Sequence, residues 1–109
     1  MCSSDLEVSG YAIETPTIAE LTFELRDDIR LEWPIARIDG AWLTFGFDEH
    51  LGLAAKAAAD GMLDLIEREH GLSGADALAL ASVVVDLRVT QVVNEKLGVH
   101  AVLRDDAFS

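Results

Sequence analysis

Hydrophobic and polar residues alternate along the first half of the chain, which predicts β-strands. In residues 17–25, every second residue from Ala19 onward is hydrophobic, and this is the period of a half-buried strand. Residues 7–14 and 29–33 are predicted to form two further strands, with Gly10 as a candidate bulge in the first of them. The beginning of the chain is therefore expected to contribute three strands to a sheet.

A hairpin is predicted next, because Asp39-Gly40 separates two short hydrophobic runs, residues 35–38 and 41–47. Both turn residues tolerate the positive φ that a two-residue hairpin turn requires.

The second half of the chain changes to a helical pattern. Asp48 is a candidate N-cap for a helix that runs to about His70, and Gly71 suits the end of that helix. Residues 73–76, with the sequence SGAD, resemble a capping box, and a second helix is predicted over residues 77–93. That helix is hydrophobic on nearly every side, so we expect it to be buried.

The later part of this second helix, residues 83–93, is rich in β-branched residues, so that helix and strand both remain open for it. Asp86 and Arg88 lie inside this run, where polar groups are costly unless they are satisfied. We expect each of them to find a partner outside its own element. A turn at residues 94–98 is predicted to precede a short final strand over residues 99–103.

These elements predict a single α+β domain over residues 1–109, with antiparallel β-hairpins followed by two packed helices and a short final strand. Half of the 109 residues are hydrophobic and only 6% are aromatic, so the core is expected to consist of aliphatic side chains. This composition is typical of a folded chain and not of a disordered one.

The charge balance excludes two classes of partner. Acidic residues outnumber basic ones by 20 to 8, which gives a formal net charge of −12, and nucleic acids and anionic membranes repel such a surface. The chain has no uninterrupted run of 18 apolar residues and its start does not resemble a secretory signal. With Cys2 as its one cysteine it cannot form an internal disulfide, and we expect a cytoplasmic protein.

Two carboxylates are candidates for chemistry, because paired acids bind hard metals or act as general acid and base. Glu7 and Glu14 lie seven residues apart, on opposite faces of a regular strand, and a bulge between them would bring both to one side. The alternative is that both are solvated strand residues in an acidic protein. His50, His70 and His100 lack the spacing of a helical metal site, so they are not assigned as ligands.

Several segments, taken together, resemble the acetamidase/formamidase family of amide hydrolases. The similarity is carried by EV and AIE in residues 7–14, LEWP in residues 31–34, GFDEHL in residues 46–51, SVVVDLRVTQ in residues 82–91 and GVHA in residues 98–101. The resemblance implies hydrolysis of formamide- or acetamide-like substrates to a carboxylate and ammonia, with a bound divalent metal such as zinc. It also implies that Glu14, and less strongly Glu7, are catalytic, with Glu14 binding the metal or positioning the hydrolytic water as base.

The chain departs from the family in two respects. Family members are several times longer, so the resemblance is to their C-terminal third or so, and the metal-binding His and Asp expected upstream have no counterpart here. Leu6 replaces a glycine of the family near the start, where a side chain could disturb a backbone turn.

Two hypotheses follow from the resemblance. The chain is the C-terminal segment of an amide hydrolase and is incomplete as a catalyst alone, or it is a non-catalytic oligomerising module or relic of that family. In either case we expect a homo-oligomer, or association with a missing N-terminal portion, because an apolar sheet face that is exposed to water favours binding to another protein surface.

Overall fold

The computed structural model describes residues 6–11 and 13–108, which form a four-stranded antiparallel sheet with two helices on one of its faces. In chain order the elements are β1 (Ile35–Ile38), β2 (Ala41–Asp48), α1 (Leu51–His70), α2 (Gly74–Val84), β3 (Val85–Gln91), β4 (Leu97–Arg104) and a short 3₁₀ helix (Asp105–Phe108). The predicted α+β class, with a hairpin followed by two packed helices, is confirmed. The chain returns to the sheet as two strands, whereas one was predicted.

The sheet is built on the predicted hairpin. Ile38 pairs with Ala41 across the turn, and Gly40 has a φ of 81°, which glycine adopts without the steric cost of a side chain. The strand order is β1-β2-β4-β3, so β4 pairs along its length with both β2 and β3.

The core lies between α1 and the helix-facing side of β4. Because side chains alternate along a strand, Val99, Ala101 and Leu103 point toward the helices, where they join Met62 and Leu65 of α1 in one buried cluster. We call the other side of the sheet its open face.

Small residues allow α1 to lie close to β2. The position of a side chain at Gly46 is already occupied by backbone atoms of α1, with Ala54 O only 2.2 Å from an ideal Cβ. Nearby, the buried hydroxyl of Thr44 donates a hydrogen bond of 2.7 Å to Ala58 O. The contact between α1 and the sheet is therefore made partly by backbone.

Of the two predicted ends of α1, only the C-terminal one is confirmed. Gly71 ends the helix in the left-handed region, with its N–H donating to Glu67 O at 2.9 Å. At the other end the predicted N-cap is wrong, because His50 occupies that position. Asp48 is the last residue of β2, and its carboxylate accepts a hydrogen bond from the His50 N–H at 2.9 Å.

The second helix is shorter than predicted. Ser73 caps it, with its hydroxyl accepting from the Asp76 N–H at 3.3 Å, but α2 ends at Val84 and β3 begins at the next residue. Helix and strand were both open for residues 83–93: in the structure the first two residues of this run end α2, and residues 85–91 form a strand. Pairing with β4 satisfies its backbone and suits its β-branched side chains.

The predicted N-terminal strands are wrong for the chain in this structure. Of residues 7–14, Ala12 lies outside the described part, and only Glu7 makes a bridge, parallel to Gln91. Residues 17–25 and 29–33 contain no strand. We call residues 6–11 and 13–33 the N-terminal arm, and residues 34–108 the packed unit.

Candidate functional site

Glu7 lies at the edge of the sheet beside β3. Its backbone N–H donates to Thr90 O at 2.8 Å and its carbonyl accepts from the Val92 N–H at 3.0 Å. The Glu7 carboxylate is on the surface, where Oε2 accepts a hydrogen bond of 3.4 Å from Asn94. The backbone of Glu7 is thus held by the sheet while its carboxylate faces solvent.

Glu14 lies in the part of the arm that is not paired with the sheet, and it is exposed. Within residues 6–11 and 13–108, no three side chains of His, Cys, Asp or Glu come together as a group that could hold a metal ion. The catalytic roles predicted for Glu7 and Glu14, and the metal-binding role of Glu14, stay predictions.

A polar pair lies on the open face of the sheet, where β3 and β4 meet. The imidazole of His100 is only 5% exposed, and its Nδ1 lies 2.7 Å from the hydroxyl oxygen of Thr90. The Phe45 ring packs against it at 5.9 Å between centroids. Since a buried imidazole nitrogen is costly without a partner, the Thr90 hydroxyl accounts for the position of His100 within an otherwise apolar strand.

Asp86 and Arg88 precede Thr90 on β3. Arg88 is paired in register with His100, and Asp86 with Val102. Residues two apart on a strand share a face, so Asp86 and Arg88 lie on the same side of the sheet, whereas a helix would have turned them apart. Both are exposed, which corrects the expectation that they lie in a buried helix.

A charged groove of about 210 Å³ runs between α1 and the end of the arm. The wall on α1 carries charged side chains at four-residue spacing, which places them on one face of the helix. The opposite wall is formed by residues 30–35. The groove is lined mainly by Arg30, Glu32, Trp33, Thr44, Lys56, Asp60, Asp64, Leu65 and Arg68.

The electrostatics of this groove are mixed. Lys56 forms an ion pair of 2.5 Å with Asp60, and this hydrogen bond raises the pKa of Lys56 above its usual value. Arg68 is 3.2 Å from Glu69 at the other end of the wall. Along the wall on α1, two cations, Lys56 and Arg68, lie on either side of two carboxylates, and the apolar lining includes Trp33, Phe45 and Leu65. The groove therefore presents both signs of charge beside apolar surface.

Neither place is among the sites predicted from the sequence. The spacing of Lys56, Asp60, Asp64 and Arg68 was readable on α1, but the wall opposite comes from residues distant in sequence. The pair formed by Thr90 and His100 is not predicted, because helix and strand both remain open for residues 83–93 and the sequence does not define the register of a strand there.

The described part of the chain contains no helix long and apolar enough to cross a membrane. It defines an α+β unit in which two helices cover one face of an antiparallel sheet, while most side chains of the arm are exposed. No protein-family model and no curated protein matches the sequence.

Solved structures, however, share this unit. An acetamidase from Bacillus halodurans matches with a TM-score of 0.63 and 29% identity, over 69% of this chain and 25% of that one. An acetamidase from Yersinia enterocolitica matches with a TM-score of 0.70 and 22% identity, over 76% and 25% of the two chains. A predicted acetamidase/formamidase from Thermoanaerobacter tengcongensis matches with a TM-score of 0.66 and 22% identity, over 72% and 26%.

The resemblance to the acetamidase/formamidase family is therefore confirmed. The chain spans about a quarter of the length of the structures it matches, which is consistent with the predicted C-terminal portion, although a third had been expected.

Proposed function

We propose that this chain is a segment of a hydrolase that converts small linear amides, such as formamide and acetamide, to a carboxylate and ammonia. The observation that carries the proposal is the likeness to the Bacillus halodurans acetamidase, which joins 29% identity to a common fold over 69% of the chain. Because only 25% of that acetamidase is matched, the proposal also holds that the rest of the active site comes from further polypeptide.

In this proposal Glu14 is the general base. A water molecule attacks the amide carbonyl, its proton passes to the Glu14 carboxylate and on to the nitrogen, and the C–N bond breaks to release ammonia. The family resemblance supports this role, and the exposure of Glu14 in the arm leaves its carboxylate accessible to a partner and a substrate. Glu7, on the same arm, is the second carboxylate of the proposed site.

A divalent metal is implied by the family resemblance. The described residues do not assemble three ligand side chains for one, and a structural or catalytic zinc requires three or four. In this proposal Glu14 is the one ligand that the chain supplies, and the remaining ligands belong to the further polypeptide.

A second function, that of a non-catalytic oligomerising module, is favoured by one observation. Large hydrophobic side chains of the arm are almost fully exposed, with Leu25 at 96%, and such surfaces usually mark contacts between proteins. In this alternative the chain associates with copies of itself and has no amidase activity in any assembly.

A chimera tests the first proposal. In the Bacillus halodurans acetamidase, the matching quarter is replaced by this chain, and ammonia release from formamide and acetamide is measured with and without added zinc. We expect the chimera to release ammonia and this chain alone to release none. Glu14→Gln should lower the chimera's rate by about 100-fold or more, as expected for a lost general base.

Asp27→Asn is the matched control, because Asp27 is an exposed carboxylate of the same arm that lies outside residues 17–25. It should leave the rate unchanged. A chimera that folds, as judged by circular dichroism and a single size in light scattering, but releases no ammonia would contradict the amidase proposal. If this chain alone also forms an inactive homo-oligomer, the second function is supported.

A further inference from the structure

We propose that residues 17–25 of the arm form a β-strand that adds to an open sheet edge on the remainder of the amide hydrolase. This inference rests on the proposed function and identifies the surface through which the chain joins the rest of the enzyme. The sequence has the period of a strand there, yet residues 17–25 pair with none of the described strands.

The side chains of this segment are exposed to an extent that is unusual for hydrophobic residues. Ile18, Phe23 and Leu25 are 101%, 90% and 96% exposed, which means that they touch little of the folded chain. Hydrophobic side chains that are clustered and left in water mark an interaction site.

The backbone of the segment is also available. Among the described residues, no backbone hydrogen bond involves residues 17–25. Unpaired N–H and C=O groups along an extended run form a template for another strand. Pro16 precedes the run, and proline is tolerated at the first position of a strand, while the bidentate ion pair between Arg26 and Asp28 follows it.

The two faces of this strand specify the chemistry of its partner. One face carries Ala19, Leu21, Phe23 and Leu25, and the other carries Glu20 and Glu24 beside Thr22 and Ile18. Cross-strand pairs are favourable between apolar side chains and between opposite charges. The partner edge should therefore be apolar on one side and carry Lys or Arg opposite Glu20 and Glu24.

A second copy of this chain is the competing occupant. An apolar groove of about 250 Å³, lined by residues such as Leu78 and Leu87, lies between the helices and β3 and would accept apolar side chains. Each copy, however, has a net charge of −12, which opposes association of two copies. The matched acetamidases, in contrast, have about three quarters of their length beyond the shared unit. The corresponding polypeptide is therefore the partner that we propose for the arm.

Amide hydrogen exchange, read residue by residue by NMR, tests this proposal. The probe is the Bacillus halodurans acetamidase with its matching quarter deleted, added to this full chain, and the chimera described above provides the same measurement if the deleted protein is insoluble. Along an edge strand, consecutive N–H groups point to opposite sides. We therefore expect every second amide in residues 17–25 to become protected on binding, with all of them exchanging rapidly in the chain alone.

Two variants separate strand addition from unspecific contact. Phe23→Asp places a charge on the apolar face of the arm and should weaken binding by about 30-fold, the effect of losing a central anchor residue. Val83→Asp is the matched control, because Val83 is an aliphatic residue that is 83% exposed on α2, and it should change binding by less than about 3-fold.

The following outcomes of the exchange and binding experiments would contradict the inference. Protection that appears in the chain alone and increases with its concentration assigns the arm to a second copy. Binding without protection of residues 17–25, or with equal sensitivity to both variants, places the contact elsewhere. Failure of the proposed function is distinguishable, since a chimera with a protected arm and no ammonia release retains the docking and loses the activity.

Discussion

The arm and the packed unit are built from similar side chains and differ in whether those side chains have partners. Leu25 in the arm is 96% exposed, whereas Leu65 on α1 is 1% exposed. Both belong to a regular hydrophobic pattern, of period two in the arm and of helical period in α1. The pattern alone therefore does not determine burial.

The two regions differ in whether each hydrophobic segment packs against a matching surface of the same chain. α1 meets β2 and β4 within the same chain, and its buried side chains face Val99, Ala101 and Leu103. For residues 17–25, no matching sheet edge is paired within the described chain. The proposed docking of the arm rests on this contrast, since an unpaired strand-like segment can pair with another sheet edge.

The largest expected effect comes from making the same substitution, leucine to alanine, in each of the two regions. Leu65→Ala should lower the free energy of unfolding by about 4 kcal/mol, because a buried leucine loses its transfer energy and leaves a cavity. Leu25→Ala should change it by less than about 0.5 kcal/mol, as is usual for exposed positions. Urea unfolding followed by tryptophan fluorescence measures both. Equal losses for the two variants would show that the arm is packed in the isolated chain.

A second prediction compares the substitution of glycine by alanine in the packed unit and in the arm. Gly46→Ala should cost about 3 kcal/mol, near the upper end for overpacking, because the new Cβ would lie 2.2 Å and 2.5 Å from backbone atoms of Ala54 and Ala58. Gly10→Ala, in the arm, meets nothing within 4 Å and should be neutral within about 0.5 kcal/mol. The same unfolding experiment applies, and a neutral Gly46→Ala would contradict the close contact between β2 and α1.

Elements with local signals could be predicted from the sequence. The turn at Asp39-Gly40 and the helix end at Gly71 depend on residues within a few positions of each other, and the structure contains both. β3 could not be separated from α2 in the same way, because Val85 follows Val84 without a loop. Its strand conformation is decided by pairing with β4, which local propensity does not report.

The candidate site was less predictable than the fold, for the same reason. The groove combines α1 with residues 30–35, and the pair of Thr90 with His100 depends on the register between β3 and β4. Glu14 is singled out by the resemblance alone, and its catalytic role stays a prediction. A site formed by residues that are distant in sequence can be predicted only after the topology of the fold is known.

The smallest expected effect compares two ion pairs of similar geometry, one in each region. Arg26 binds Asp28 within the arm at 2.7 Å and 2.5 Å, and Arg37 binds Asp105 at 2.8 Å and 2.6 Å, which joins β1 to the 3₁₀ helix. The hydrogen bonds from Arg26 lower the pKa of Asp28 to about 2, and those from Arg37 lower the pKa of Asp105 below its usual 3.8.

Only the second pair should make folding depend on pH. Asp28 is two residues from Arg26, so the pair can form in the unfolded chain as well, and equal pKa values in both states give no linkage. Asp105 meets Arg37 only in the folded chain. Its lower folded pKa adds stability that is present above pH 3.8 and is lost as the pH falls through the folded value. Both side chains are exposed, so the contribution is small.

The difference between the variants isolates this contribution from the other carboxylates. Asp105→Asn should destabilise the chain at pH 6 and have a smaller effect at pH 2.5, whereas Asp28→Asn should leave the wild-type pH dependence unchanged. Urea unfolding at the two pH values, followed by tryptophan fluorescence, measures both. An Asp28→Asn variant that reproduced the Asp105→Asn result would mean that the arm is ordered by folding, and the two regions would then differ in exposure but not in order.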